Sequence, residues 1–223
     1  MGWKILRAHH ELLGFRPGIS ILDEQDSQTV VRDLLPEGTA PDRVRLARAQ
    51  VSRWKNRALS AIEAHDSFAS DGEAAIWQLY QHYEEHLKNL NAVDFDDLIL
   101  QPLRALRDDE ARLQWQQQYR YLLVDEYQDT NETQYQMLKL IAGSEGRMTV
   151  VGDDDQSIYG WRGAQPENLQ QLADDYPRLE IIKLEQNYRS CGTVLKAANA
   201  LIANNPHAIE KRLWSALHEG DAI

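Results

Sequence analysis

Apolar residues recur at helical spacing through the first half of the chain and gather into short runs in the second. Trp3–Gly14 reads as a helix, with Gly14 as its stop and Pro17 just beyond. Leu35–Pro41 is a break, rich in Pro and Gly. A helix is then predicted over Asp42–Ala64, with Val44, Ala47, Val51, Trp54, Ala58 and Ile62 forming one apolar stripe. Another spans Glu73–Leu90, with Ile76, Leu79, Tyr83, Leu87 and Leu90 on its stripe. Asp94 is placed to cap a short helix through Leu98, which Pro102 would bend or end. After Arg120 the pattern changes. Tyr121–Val124, Met148–Val151 and Glu180–Leu184 are short apolar runs that read as strands. Helices over Thr133–Ala142 and Thr193–Asn204 alternate with them. The pattern predicts an all-helical first half and an α/β second half built on a parallel sheet.

Composition adds limits. The chain has 223 residues, 43% hydrophobic and 26% charged, an ordinary globular balance. No apolar run is long enough to span a bilayer and no leader pattern follows Met1, so no membrane partner is expected. A lone Cys191 fits a reducing compartment and makes the cytoplasm the default. The net charge of −11 argues against a uniformly basic nucleic-acid binder. The charge is uneven, however. Residues 1–60 hold ten Lys/Arg against seven Asp/Glu, and six basic residues without an acid lie between Arg43 and Arg57. Contact with DNA would therefore be local or made by stacking.

The run Leu122-Leu123-Val124-Asp125-Glu126 carries the first chemistry. Three apolar residues predict a strand covered on both faces, and two acids follow at its carboxyl end, where open parallel sheets bind ligands. One acid there can hold Mg²⁺ through its water shell, and its neighbour can orient or deprotonate an attacking water. A solvated turn that simply ends the strand accounts for the same residues.

The segment continues Tyr127-Gln128-Asp129-Thr130. A second run ends in Gly152-Asp153-Asp154-Asp155-Gln156-Ser157-Ile158-Tyr159-Gly160-Trp161-Arg162-Gly163-Ala164, and a third reads Leu184-Glu185-Gln186-Asn187-Tyr188-Arg189-Ser190. These three motifs, in this order, resemble the second, third and fourth motifs of the UvrD/Rep-type superfamily 1 DNA helicases. Asp94-Phe95-Asp96-Asp97-Leu98 fits the same family.

The resemblance implies roles. Asp125 corresponds to the magnesium-holding acid and Glu126 to the catalytic base. Gln156 corresponds to the glutamine that senses the γ-phosphate, since an amide can donate to one side and accept from the other. Tyr159 and Trp161 correspond to aromatics on which single-stranded bases stack, a contact indifferent to base sequence. Arg162 is grouped with them at the DNA site and pairs a carboxylate in one reading. Tyr188 and Arg189 correspond to a pair that stacks on adenine and reaches the γ-phosphate, where a permanently charged guanidinium stabilises the transferring group. The implied cofactors are ATP and Mg²⁺. The implied partners are single-stranded DNA, single/double-strand junctions, and replication or repair proteins.

The same family implies an α/β fold: a partial RecA-like parallel sheet of P-loop NTPase type with an inserted all-helical subdomain. The implied parsing is 1–15 in motor domain 1A, 16–92 in helical subdomain 1B, 93–187 in 1A again, and 188–223 beginning domain 2A. The basic stretch Arg43–Arg57 falls in 1B, where a solvated face and phosphate contact are both open. No lysine follows a glycine anywhere in the chain, so the phosphate-binding G-x-x-x-x-G-K-[ST] loop is absent from it. The chain is accordingly expected to be a piece of an ATP-dependent 3′ to 5′ DNA helicase, inactive by itself. A non-catalytic module that binds single-stranded DNA or a protein is the alternative.

Overall fold

The computed structural model describes residues 1–65, 71–160, 163–165, 167–205 and 211–222. Helix α1 (Gly2–Ala8) leads through a turn that ends at Gly14 into a two-residue strand, β1 (Ser20–Ile21). Four helices follow: α2 (Glu24–Leu34), α3 (Pro41–Asn56), α4 (Ala61–His65) and α5 (Asp71–Asn89). Strand β2 (Ala92–Val93) then pairs in parallel with β1, Ser20 against Ala92 and Ile21 against Val93. Next come α6 (Asp97–Ala105), α7 (Asp109–Gln118), β3 (Leu122–Val124), α8 (Glu132–Ala142) and β4 (Met148–Val150). Helices α9 (Asn168–Asp175) and α10 (Gly192–Ile202) complete the order. Strands β3 and β4 are parallel, with Leu122, Leu123 and Val124 in register with Met148, Thr149 and Val150.

The first half is therefore not all helical, because β1 and β2 pair across α2–α5. Those four helices have their own core, which joins Val31, Val51, Trp54, Tyr80, Tyr83 and Leu87. Trp54 stacks on Tyr80 with ring centroids 5.7 Å apart. A second core joins Ile5, Ala58, Leu100, Leu103, Leu122 and Ile141.

Several elements differ from the pattern-based expectation for local reasons. The helix predicted over Asp42–Ala64 stops at Asn56, and Ala58 turns left-handed (φ 57°) before α4. Ser60 and Glu63 restart the chain as a reciprocal cap, backbone N–H to side chain in both directions. The break rotates Ile62 out of the stripe, and it is exposed. Leu90, the last residue assigned to the next stripe, lies beyond α5 and is exposed too. Asp94 does accept the Asp97 N–H, but the helix runs through Pro102 to Ala105. Pro102 has no N–H to offer the Leu98 carbonyl. Gly2 packs against that carbonyl so closely that a Cβ there would lie 1.9 Å from its oxygen.

Strand β3 is covered on one face only. Leu122 is buried, whereas Leu123 is 82% exposed. Helices α6, α7 and α8 supply the covered side, where Leu122 meets Leu100, Trp115 and Ile141. The run Glu180–Leu184 forms no ladder among the described residues, and its Ile181, Ile182 and Leu184 are exposed. Among the described residues no helix is long and apolar enough to cross a membrane.

Candidate nucleotide and nucleic-acid site

The parallel pairing of β3 and β4 brings two acid runs to the same end of one ladder. Asp125 and Glu126 leave β3; Asp153, Asp154 and Asp155 leave β4 after Gly152. Both Asp125 and Glu126 are exposed. Asp125 Oδ1 accepts the Glu126 N–H at 3.0 Å. Glu126 has φ 50° and ψ 44°, left-handed backbone that a residue with a Cβ seldom adopts. That conformation turns the chain from β3 into the single 3₁₀ turn Tyr127–Asp129.

Gln128 links the two strand ends and was not singled out by the sequence. Its side chain is 1% exposed. Its Nε2 donates to Glu126 Oε2 at 2.7 Å, and its Oε1 accepts the Asp153 N–H at 3.0 Å. The close approach requires Gly152, where a Cβ would stand 3.0 Å from Gln128 Oε1 and 3.3 Å from Gln128 N. Asp153 is also the partner of Gln156, whose Nε2 donates to its Oδ2 at 2.7 Å. Gln156 thus connects to Glu126 through two intervening residues.

Lys211 closes the acid run. Its Nζ contacts Asp153, Asp154 at 2.6 Å and Asp155 at 2.9 Å. Burial alone would depress the lysine, but hydrogen bonds to three carboxylates push it well above its ordinary range. Asp153 is held below the usual carboxylate range: burial opposes this, and Lys211 and Gln156 overcome it. One oxygen from each of the three aspartates lies within 4.8 Å of the others, a spacing that suits a metal, but an ammonium already fills the role of counter-charge. Asp125 fits Mg²⁺ better. It offers a hard carboxylate oxygen, Oδ2, that makes no protein hydrogen bond among the described residues.

A second feature opens between α3 and the loop after β4: a groove of about 1090 Å³ lined by Arg45, Arg53, Arg57, Phe95 and Tyr159 among others. Phe95 is 54% exposed and Tyr159 37% exposed. The three aspartates around Phe95 hold it there. Lys55, fully buried, binds Asp94 at 3.0 Å and Asp97 at 2.8 Å. Arg48 binds Asp96 with both terminal nitrogens at 3.1 Å. Asn56 donates to Asp96 at 3.1 Å and accepts from Asn131, which caps α8 just after the Asp125–Thr130 motif. Every side chain of Asp94-Phe95-Asp96-Asp97 except the phenylalanine is thus tied inward. Two of the six basic residues in Arg43–Arg57, Arg48 and Lys55, belong to this buried network and not to an exposed basic face.

The Tyr159 loop folds back through Gln165 N–H to Thr130 C=O at 3.0 Å and through buried Asn168, whose amide also reaches Thr130. Trp161 and Arg162 lie outside the described residues. Tyr188 is 77% exposed and donates to Gln186 at 2.9 Å. Arg189 is exposed, with its backbone N–H on Asn187 Oδ1. Among the described residues no hydrogen bond or ion pair joins Tyr188 or Arg189 to Asp125 or Glu126.

The motif order, the Asp-Glu pair at the end of β3 and the acid run after β4 define a helicase-type N-terminal domain. A family model, the UvrD/REP helicase N-terminal domain, matches residues 1–177, and the chain belongs to that family. The ATP-dependent DNA helicase Rep of Escherichia coli K12 is 48% identical over 99% of this chain. DNA helicase II of Haemophilus influenzae and that of E. coli K12 are each 37% identical over 99% of it. The chain covers 33% of the Rep protein, 30% of the H. influenzae helicase and 31% of the E. coli helicase II, so it spans about a third of the length of these relatives.

Proposed function

We propose that this chain supplies the water-activating and strand-gripping part of an ATP-driven motor that moves 3′ to 5′ on single-stranded DNA and unwinds duplex at junctions. In this reading 1–15 and 93–187 belong to motor domain 1A with a RecA-like sheet, 16–92 to an inserted helical subdomain 1B, and 188–223 to the start of 2A. The separate cores of α2–α5 and of α6–α8 with β3 support the insertion. The observation that carries the proposal is the groove beside α3, in which exposed aromatics and arginines stand next to the segment that leads back to Glu126.

Asp125 would hold Mg²⁺, which when bound screens the phosphates of ATP. Glu126 accepts a proton from the attacking water, and Gln128 sets the direction of its carboxylate. Gln156 senses phosphate from the neighbouring strand end. Tyr188 and Arg189 approach the nucleotide from the 2A side, with Arg189 stabilising charge on the γ-phosphate. No Gly-Lys pair occurs in these residues, so the phosphates are gripped by a loop outside them. Tyr159 and Phe95 stack on bases and Arg53 and Arg57 lie along the backbone path, and Trp161 and Arg162 are assigned to the same DNA contact from their motif alone.

Fluorescence anisotropy with labelled oligo-dT tests this on the chain as it stands. Binding is expected, weakening with salt. Phe95→Ala and Tyr159→Ala should each weaken it by roughly 5- to 150-fold, the loss of one stacked base. Absence of binding at low salt, or full binding by both variants, would overturn the reading.

A further inference from the structure

The described residues of 185–205 and 211–222 bond among themselves as a small unit. Asn187 N–H donates to the Trp214 carbonyl and Trp214 N–H to that of Glu185, and the Asn199 side chain bonds both ways with the Leu213 backbone. Thr193 and Lys196 on α10 both bind Glu219. From this unit Lys211 reaches back to the preceding chain, where its ammonium meets Asp153, Asp154 and Asp155. The contact spans 58 positions of sequence to Asp153.

The far side of that contact leads on. Asp153 takes Lys211 and Gln156 on its carboxylate and gives its backbone N–H to Gln128, and Gln128 holds the Glu126 carboxylate. Each link is a hydrogen bond at a strand end, and Gln128 is buried, so a shift at one end has few other outlets. Electrostatics make the first link demanding. Three adjacent carboxylates crowd together, and the ammonium offsets part of their mutual repulsion in the Asp153–Gln156 turn.

We infer that Lys211 is a positioning residue that ties the unit following Leu184 to Glu126 by way of Asp153 and Gln128. When that unit moves away, the ammonium leaves the three aspartates, the turn carrying Gln156 loosens, and Gln128 loses the anchor that aims Glu126. The inference rests on the proposed function only for the meaning of Glu126. The linkage itself is read from the geometry of Lys211, Asp153, Gln128 and Glu126.

Amide hydrogen exchange on the whole chain, with neither ligand added, tests it. Lys211→Met should speed exchange by about tenfold or more at Tyr127, Asp129, Asp153 and Gln156, whose N–H groups are bonded within the turns that follow β3 and β4. Lys211→Arg should restore wild-type exchange there. Lys196→Met, which breaks an exposed ion pair inside the same unit, should leave those amides unchanged. Should Lys211→Met fail to fold by circular dichroism, Asp154→Asn removes one of the three partners and should give the same pattern in smaller degree. Acceleration confined to 185–222, or none at Tyr127 and Asp129, overturns the inference. Because oligo-dT binding is a separate measurement, failure of the DNA reading and failure of this linkage are told apart.

Discussion

Glu126 and Gln128 hold each other across a left-handed turn: the glutamine Nε2 lies 2.7 Å from Glu126 Oε2 while the Glu126 backbone sits at φ 50°. Left-handed backbone costs an L-residue on the order of 1–2 kcal/mol, least for Asn. Here a glutamate takes that backbone while Gln128 holds its carboxylate. Removing the acid should therefore release strain. Glu126→Asn is expected to keep or raise stability in urea unfolding by up to about 1 kcal/mol, although it shortens the side chain away from Gln128. A loss of more than about 2 kcal/mol would mean that the turn is not strained and that the Gln128 bond outweighs it.

The buried pairing around Phe95 makes a different demand. Lys55, Asp94 and Asp97 are almost wholly out of solvent, and Lys55 is held well above its ordinary range: burial opposes this, and the two carboxylates overcome it. Lys55→Met would leave Asp94 buried without its nearest cation. Stability should fall by about 3–5 kcal/mol, as for other broken buried pairs. A loss below about 1 kcal/mol in urea unfolding would show that Arg48 or water carries the charge instead.

The same network gives a pH signature. Burial and the charge of Asp94 raise Asp97 to about 6, while Asp94, despite burial, is lowered to about 2 by Lys55 and Arg48. A raised acid binds its proton more tightly in the folded chain. Its stabilising contribution is complete below the unfolded carboxylate range and is lost as pH rises through about 6. Asp94 works in the opposite sense, and its contribution is lost only as pH falls toward 2. Between about pH 4.5 and about pH 7 the Asp97 contribution dominates, so the stability of the wild type relative to Asp97→Asn should decline across that window. A difference that is flat or rises with pH would contradict the raised position of Asp97.

Much of the site was legible in the sequence because its residues are contiguous. Asp125 and Glu126 follow an apolar run, and Gln156 follows another, so the parallel pairing of those runs brings them to one end of a ladder. Gln128 was missed because a glutamine two places after the acids signals nothing until it is seen to be buried between two strand ends. Lys211 was missed because its partners lie 56–58 residues earlier and no local pattern marks it. Phe95 was legible only as part of a motif; its exposure depends on ion pairs from α3 to the aspartates beside it. In the fold, the helix predicted over Glu73–Leu90 was placed within two residues, the one over Asp42–Ala64 ran past the break at Asn56, and the two-residue strands β1 and β2 were not foreseen. Ladders that short are fixed by tertiary contact across 70 residues, not by alternation of residue types.

That small ladder has a structural consequence. Ser20–Ile21 and Ala92–Val93 run side by side, so the chain departs for α2 and returns from α5 through positions roughly 5 Å apart across the ladder. The two crossings therefore lie side by side, and beyond them α3 grips the host through Lys55 and Arg48 on the aspartates around Phe95 and through Asn56 on Asn131. Residues added within the excursion need not part the two strands of that ladder, whereas a change at Asn56 would be felt at Asn131, just beyond the turn that follows Glu126.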